Sequence, residues 1–220
     1  MFFNSPRPWD NLPLRLSVEE IRDPHEAIHE YFSSYDMPGA RQIINQWFGS
    51  TSKKRPSKIS PSGLQFFYDR TESFIEAAFL VAQLDNRERK GIIVPCNDEE
   101  IDVMNPILFC AWIKGIEGKT ISAREAWDTF PRNLSYKEFL NPYLAFEKFF
   151  SFLTLGEWRE ALRELLGMGM SRRTFLDETI DFDLLGIKKR LEKLLEAGHL
   201  IDVREYRQVF YDSITGKDRE

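Results

Sequence analysis

The stretch 23-DPHEAIHEYFSSYDMPGARQIINQWFG-49 has a counterpart further along the chain, 141-NPYLAFEKFFSFLTLGEWREALRELLG-167. At an offset of 118, six positions are identical: Pro24/Pro142, Ala27/Ala145, Phe32/Phe150, Ser33/Ser151, Arg41/Arg159 and Gly49/Gly167. Ile28/Phe146, Tyr31/Phe149, Met37/Leu155 and Ile44/Leu162 are chemically alike. A second pair of blocks, 70-RTESFIEAAFLV-81 and 190-RLEKLLEAGHLI-201, matches at an offset of 120. Its five identities are Arg70/Arg190, Glu72/Glu192, Glu76/Glu196, Ala77/Ala197 and Leu80/Leu200. Two blocks in the same order, at nearly one offset, read as an internal duplication.

The spacing inside the blocks is helical. Ala27, Ile28, Tyr31, Phe32 and Tyr35 form an apolar stripe at i, i+1, i+4, i+5 and i+8, and Phe146, Phe149, Phe150 and Leu153 repeat it. Asp23 and Asn141 are placed to cap the first helix of each half, with Pro24 and Pro142 at a position where a missing N–H costs nothing. Asp23 and Glu26 have the spacing of a reciprocal capping box, and Ser17, Ser122 and Ser135 each precede a Glu by three residues. Asp36 and Thr154 are expected to cap the second helix, and Gly49 and Gly167 to end it. A third helix carries Glu76 or Glu196. The expected fold is all-α, with duplicated three-helix units.

Residues 1–84 form the first repeat with an N-terminal arm, 85–134 a connecting segment, and 135–220 the second repeat and a frayed tail. The connecting segment is expected to hold a short extended piece, Ile92-Ile93-Val94, and helices near Ile107–Lys114 and Ala123–Phe130.

Composition narrows the function classes. Of 220 residues, 42% are hydrophobic and 18 are Phe, ample for a core. A net charge of −5 disfavours a globally basic nucleic-acid binder but leaves room for a local basic patch. Cys96 and Cys110, with no CxxC and no nearby His, read as reduced thiols of a cytoplasmic protein. No signal peptide and no membrane span are expected.

The pattern N-P-Y-x-x-F-x-x-F-F, Asn141 to Phe150, followed by L-x-x-W-R, Leu155 to Arg159, resembles an uncharacterised family of bacterial helical proteins. The resemblance covers the helix pairs of both halves. It implies an all-helical repeat and no activity, because its motif describes packing and caps.

Several short motifs invite chemistry. His25-Glu26-Ala27-Ile28-His29 matches H-E-x-x-H, which puts two imidazoles on one helix face for zinc, with Glu26 to activate water. No third His lies a turn beyond His29 and no Glu occurs between Glu30 and Glu72, which leaves only Asp36, Asp69 or a distant residue as a third ligand, and the second half has Tyr143 and Glu147 at the two histidine positions. The duplication accounts for this helix without a metal. Arg22 and His29 have the spacing of the R-x4-6-H motif of HEPN ribonucleases, but Pro24 places Arg22 before the helix. The stretch 115-GIEGKT-120 lacks the first Gly of a phosphate-binding loop, since Ile113 occupies that position.

Two repeated sets of polar residues remain. Lys54-Arg55 aligns with Arg172-Arg173, and with Lys53 and Lys58 these pairs are candidates for phosphate contacts, though basic residues after a helix also complement its dipole. Arg41/Arg159 and Glu76/Glu196 are expected to form one buried ion pair within each half, Arg41–Glu76 and Arg159–Glu196. No catalytic set is complete and no cofactor is required. The leading expectation is a non-enzymatic protein–protein interaction or regulatory module. The alternatives are a nucleic-acid binder using the paired basic loops, and a metal-dependent hydrolase or HEPN-like ribonuclease at His25 and His29.

Overall fold

The computed structural model describes residues 9–51, 57–84, 128–171 and 183–203. Among these residues there are eight α-helices and no strand. They are α1 (Val18–Arg22), α2 (Pro24–Ser34), α3 (Met37–Thr51), α4 (Pro61–Gln83), α5 (Tyr136–Leu140), α6 (Tyr143–Phe152), α7 (Leu155–Met170) and α8 (Leu184–Ile201). The all-α expectation therefore holds for the described residues. The extended piece at Ile92–Val94, the helix near Ile107–Lys114, the Ser122 box, Cys96, Cys110 and the tail lie outside them. So do the basic residues Lys53, Lys54, Arg55, Arg172 and Arg173.

Local chemistry starts the helices. Ser17 with Glu20, Ser135 with Glu138, and Thr154 with Glu157 form reciprocal capping boxes at α1, α5 and α7. Ser60 and Asp183 cap α4 and α8, and the Asp36 carboxylate accepts the Gly39 N–H at 2.7 Å at the start of α3. Asp23 caps α2, but it accepts the N–H of His25 and makes no box with Glu26. The reason is that the Asp23 N–H already donates to the Glu19 carbonyl at the end of α1, so no donor is left for Glu26 to satisfy. At α6 the expected Asn141 cap is absent too. Pro142 occupies the cap, with no side-chain bond. Gly49 and Gly167 do not end their helices. Both lie inside α3 and α7, which run on to Thr51 and Met170.

Burial of the aromatic stripes decides the helices, because intrinsic propensity does not. Phe, Tyr, Trp and Ile cost up to about 0.7 kcal/mol each against Ala in a helix. Each gains about 1.5–3 kcal/mol on full burial. Trp47, Trp158, Tyr31, Tyr143, Phe67, Phe74, Phe146, Ile28 and Ile44 are all fully buried in one core. Trp158 lies flat on Phe149, with ring centres 3.9 Å apart, and donates its indole N–H to the Phe149 carbonyl.

The packing follows a reciprocal plan. The first long helix of each series lies on the third, α2 on α4 and α6 on α8. The second helices meet each other, α3 on α7. Each second helix also packs on the third helix of the other series, α3 on α8 and α7 on α4. The two series of helices are thus interleaved in one core.

Candidate functional site

That crossing moves the repeated ion pairs. Arg41 of α3 does not meet Glu76; its Nη2 donates to Glu196 of α8 at 2.8 Å. Arg159 of α7 does not meet Glu196; its Nε donates to Glu76 of α4 at 3.1 Å, and its Nη2 bonds the same carboxylate. The expected partners are exchanged between the halves because α3 and α7 each pack on the other half's third helix. Both glutamates are fully buried. Such charges are tolerated only when paired and hydrogen-bonded throughout.

The remaining bonds satisfy that demand. Arg159 also donates to the carbonyls of Asp10 and Leu12, and the second oxygen of Glu76 accepts the Arg15 N–H at 2.6 Å. Arg41 donates to the carbonyls of Asp128 and Phe130, and Glu196 accepts the N–H groups of Arg132 and Asn133 at 3.0 and 2.7 Å. Each Arg–Glu pair therefore clamps an irregular segment that precedes α1 or α5.

Those segments carry a further repeat, just upstream of the first pair of blocks. Set 9-WDNLPLRLSVEE-20 against 127-WDTFPRNLSYKE-138 at the same offset of 118. Trp, Asp, Pro, Leu, Ser and Glu recur, six identities in twelve positions. The clamped carbonyls Asp10/Asp128 and Leu12/Phe130 are counterparts, as are the boxes Ser17–Glu20 and Ser135–Glu138. The signal was in the sequence, as an extension of the first block upstream.

Around Glu76 the first half adds further charge. Glu72, also buried, lies 2.9 Å from Arg15 Nε, and Asp69 lies 3.1 Å from Arg15 Nη2. Burial, with Glu72 adding to it, pushes the Tyr68 phenol up to about 12, so this hydroxyl stays protonated at neutral pH.

The histidines of H-E-x-x-H go to separate carboxylates. His25 is buried, with Nδ1 3.6 Å from Asp23. His29 Nδ1 lies 2.7 Å from Asp202, a buried residue just beyond α8. Among the described residues no three His, Cys, Asp or Glu side chains are grouped to hold a metal ion. Arg22 ends α1 while His29 lies within α2, so the Arg–His spacing spans two helices.

A buried carboxylate that sequence reasoning placed only in a cap has a wider role. Glu138 accepts from Ser135, from Lys148 of α6 at 2.9 Å and from Lys193 of α8 at 2.7 Å. Burial works against its charge, but the bonds from Lys193, Ser135 and Lys148 outweigh it and hold the carboxyl down at about 2. No protein-family model, curated protein or solved structure matches the chain. Among the described residues no helix is long and apolar enough to cross a membrane.

Proposed function

We propose that this chain is a non-enzymatic protein-interaction module of the bacterial cytoplasm, built by duplication of one helical unit. The bacterial setting rests on the resemblance of the repeated motif, and the cytoplasmic one on the spacing of its cysteines. The duplication is supported by contacts that exchange between the halves. The two Arg–Glu clamps, Arg41–Glu196 and Arg159–Glu76, exchange under a shift of 118 to 120 positions, a reciprocity that favours a twofold relation over a solenoid step. The recurring Arg41/Arg159 and Glu76/Glu196 are used up in these clamps, so they read as scaffold.

The observation that carries the binding role is an exposed apolar run on a rigid base. Trp9, Leu12, Leu14, Val18 and Ile21 all face solvent, Leu14 being 60% and Val18 59% exposed. Exposed apolar side chains gathered on one segment mark protein-interaction surfaces. Arg159 and Glu76 bond the backbone of this segment at Asp10, Leu12 and Arg15, which lowers the cost of ordering it on binding. In the matching segment of the second half, among the described residues, Tyr136, the counterpart of Val18, is the only exposed large apolar side chain. Arg132 replaces Leu14, and Phe130 and Phe139, the counterparts of Leu12 and Ile21, stack on each other with centres 6.1 Å apart.

A photo-crosslinking residue at position 14 tests this reading in the cell of origin. A discrete protein adduct is expected from position 14 and none from exposed Glu147. The double variant Leu14→Asp, Val18→Asp should abolish the interaction with no change in helicity. Recovery of no protein adduct, or equal adducts from both positions, refutes the reading.

A further inference from the structure

A groove of about 500 Å³ lies between α6 and α8, lined by Lys148, Phe152, Lys189, Arg190 and Lys193 together with small and apolar side chains. Four cations line one recess of a chain whose net charge is −5. Three of the four are held by contacts. Glu138, fully buried behind the groove, holds the ammonium groups of Lys148 and Lys193 at 2.9 and 2.7 Å. Each ammonium has three donors, so both retain capacity for another acceptor. The Arg190 guanidinium carbon lies 3.5 Å from the centre of the Phe152 ring, and its Nη1 bonds the Gly186 carbonyl. Lys189 is exposed and has no ion pair among the described residues. Among the described residues Glu138 is the only carboxylate bonded to these groups, so there the four cations face one negative charge.

The scaffold does not require this charge. The counterparts of Lys148, Phe152, Lys189 and Lys193 in the first half are Glu30, Ser34, Asp69 and Ser73, and only Arg190 keeps its type, as Arg70. There the charges cancel: Arg70 bonds Glu30 at 3.3 Å, and Asp69 pairs with Arg15. The same helix pair is built with and without a basic groove, so the basic version reflects something other than packing.

We propose that the groove between α6 and α8 binds a small molecule carrying at least two phosphate groups, which meet Lys148, Lys189, Arg190 and Lys193, while Phe152 and the neighbouring apolar side chains contact its organic part. The volume falls in the range of small-ligand sites, roughly 300–1,000 Å³. Lysine and arginine donors together suit phosphate oxygens. A long nucleic acid fits less well, since it needs cations along a track and this chain is otherwise acidic.

Calorimetric titration of the full chain with metal-free adenosine triphosphate and with inorganic tripolyphosphate tests the site. Both probes should bind, one per chain, with affinity that falls as salt rises. Lys189→Gln and Arg190→Gln should each weaken binding about tenfold. Arg70→Gln should leave it unchanged. Lys189 is exposed, so its variant should keep the wild-type melting curve. No saturable binding below about 1 mM overturns the proposal. So does wild-type affinity in both groove variants, or tighter binding of a single-stranded DNA of about 20 nucleotides.

Discussion

Trp47 of α3 donates its indole N–H to the carbonyl of Leu165 of α7 at 2.9 Å, and the two residues are counterparts, 118 positions apart. A contact between counterparts maps onto itself when the halves trade places. It marks where the two series of helices share one core. Neither α3 nor α7 has its own half's third helix as main neighbour, so each half alone lacks the main neighbours of its second helix.

The first prediction concerns separability. Fragments 1–84 and 128–220 should each fail to melt cooperatively when alone, because α3 loses α7 and α8, and α7 loses α3 and α4. Mixed in equal amounts, they should restore the α3–α7, α3–α8 and α4–α7 contacts and recover a single thermal transition followed by circular dichroism. A cooperative melt from fragment 1–84 alone contradicts the interleaved core.

The second concerns the clamps. Removing one partner of a buried, paired charge costs about 3–5 kcal/mol, so Glu76→Gln and Glu196→Gln should each lower stability by about that amount. For a chain of this size that is a fall of roughly 2–4 °C in Tm per kcal/mol. Double-mutant cycles locate the partners. Arg159 should couple to Glu76 and Arg41 to Glu196, while Arg41 with Glu76 should be additive within about 0.5 kcal/mol. Strong coupling of Arg41 to Glu76 in urea denaturation would place the pairs within the halves instead.

The third follows from Glu138. Its folded carboxyl is held at about 2, below the ordinary 4.5 of an unpaired glutamate. A carboxylate depressed in the folded state contributes stability that is present above the unfolded value and lost as pH falls through the folded one. Glu138→Gln should therefore be less stable than the native chain at pH 6. The gap between their melting temperatures should narrow from about pH 4.5 and close near pH 2. A gap that stays constant over this range shows that the carboxylate is not what holds Lys148 and Lys193.

The fourth concerns close approach. A Cβ on Gly198 would lie 2.5 Å from Cζ and 2.6 Å from Cε2 of Phe74, whose ring is buried against Tyr31 and Phe32. Gly198→Ala must displace that ring, and overpacking of this kind costs about 1–3 kcal/mol. The counterpart position already holds Ala78, so Ala78→Gly should not show a matching gain. Equilibrium unfolding of Gly198→Ala at native or higher stability would refute the contact.

The helices were legible because their apolar residues repeat with helical spacing in both halves, the Ser17 and Ser135 caps because three-residue spacing to Glu is a local signal, and the Thr154 cap because it matches Asp36. The Asp23–Glu26 box misled, since nothing in that spacing reveals that α1 has already taken the Asp23 N–H. Arg41, Glu76, Arg159 and Glu196 were legible as a set. Their pairing was not: a repeat shows which residues correspond, and pairing within halves or across them preserves the same pattern. Only the packing of α3 on α8 and α7 on α4 decides between them. The basic groove was hidden for another reason. Lys148 lies in α6 and Lys189, Arg190 and Lys193 in α8, so the charges gather only when the two helices pack, and one carboxylate from α5 joins them.

The crossed clamps also set an order of events during synthesis. Arg41 and Glu196 are 155 positions apart, against 83 for Arg159 and Glu76. As the chain leaves the ribosome, Arg41 has no carboxylate to meet until almost all of the described residues have been made. The first half must wait, half-assembled, with Trp47 and its neighbours uncovered. Contacts of such long range form late and slowly. A chain that depends on them is exposed to aggregation before it is complete.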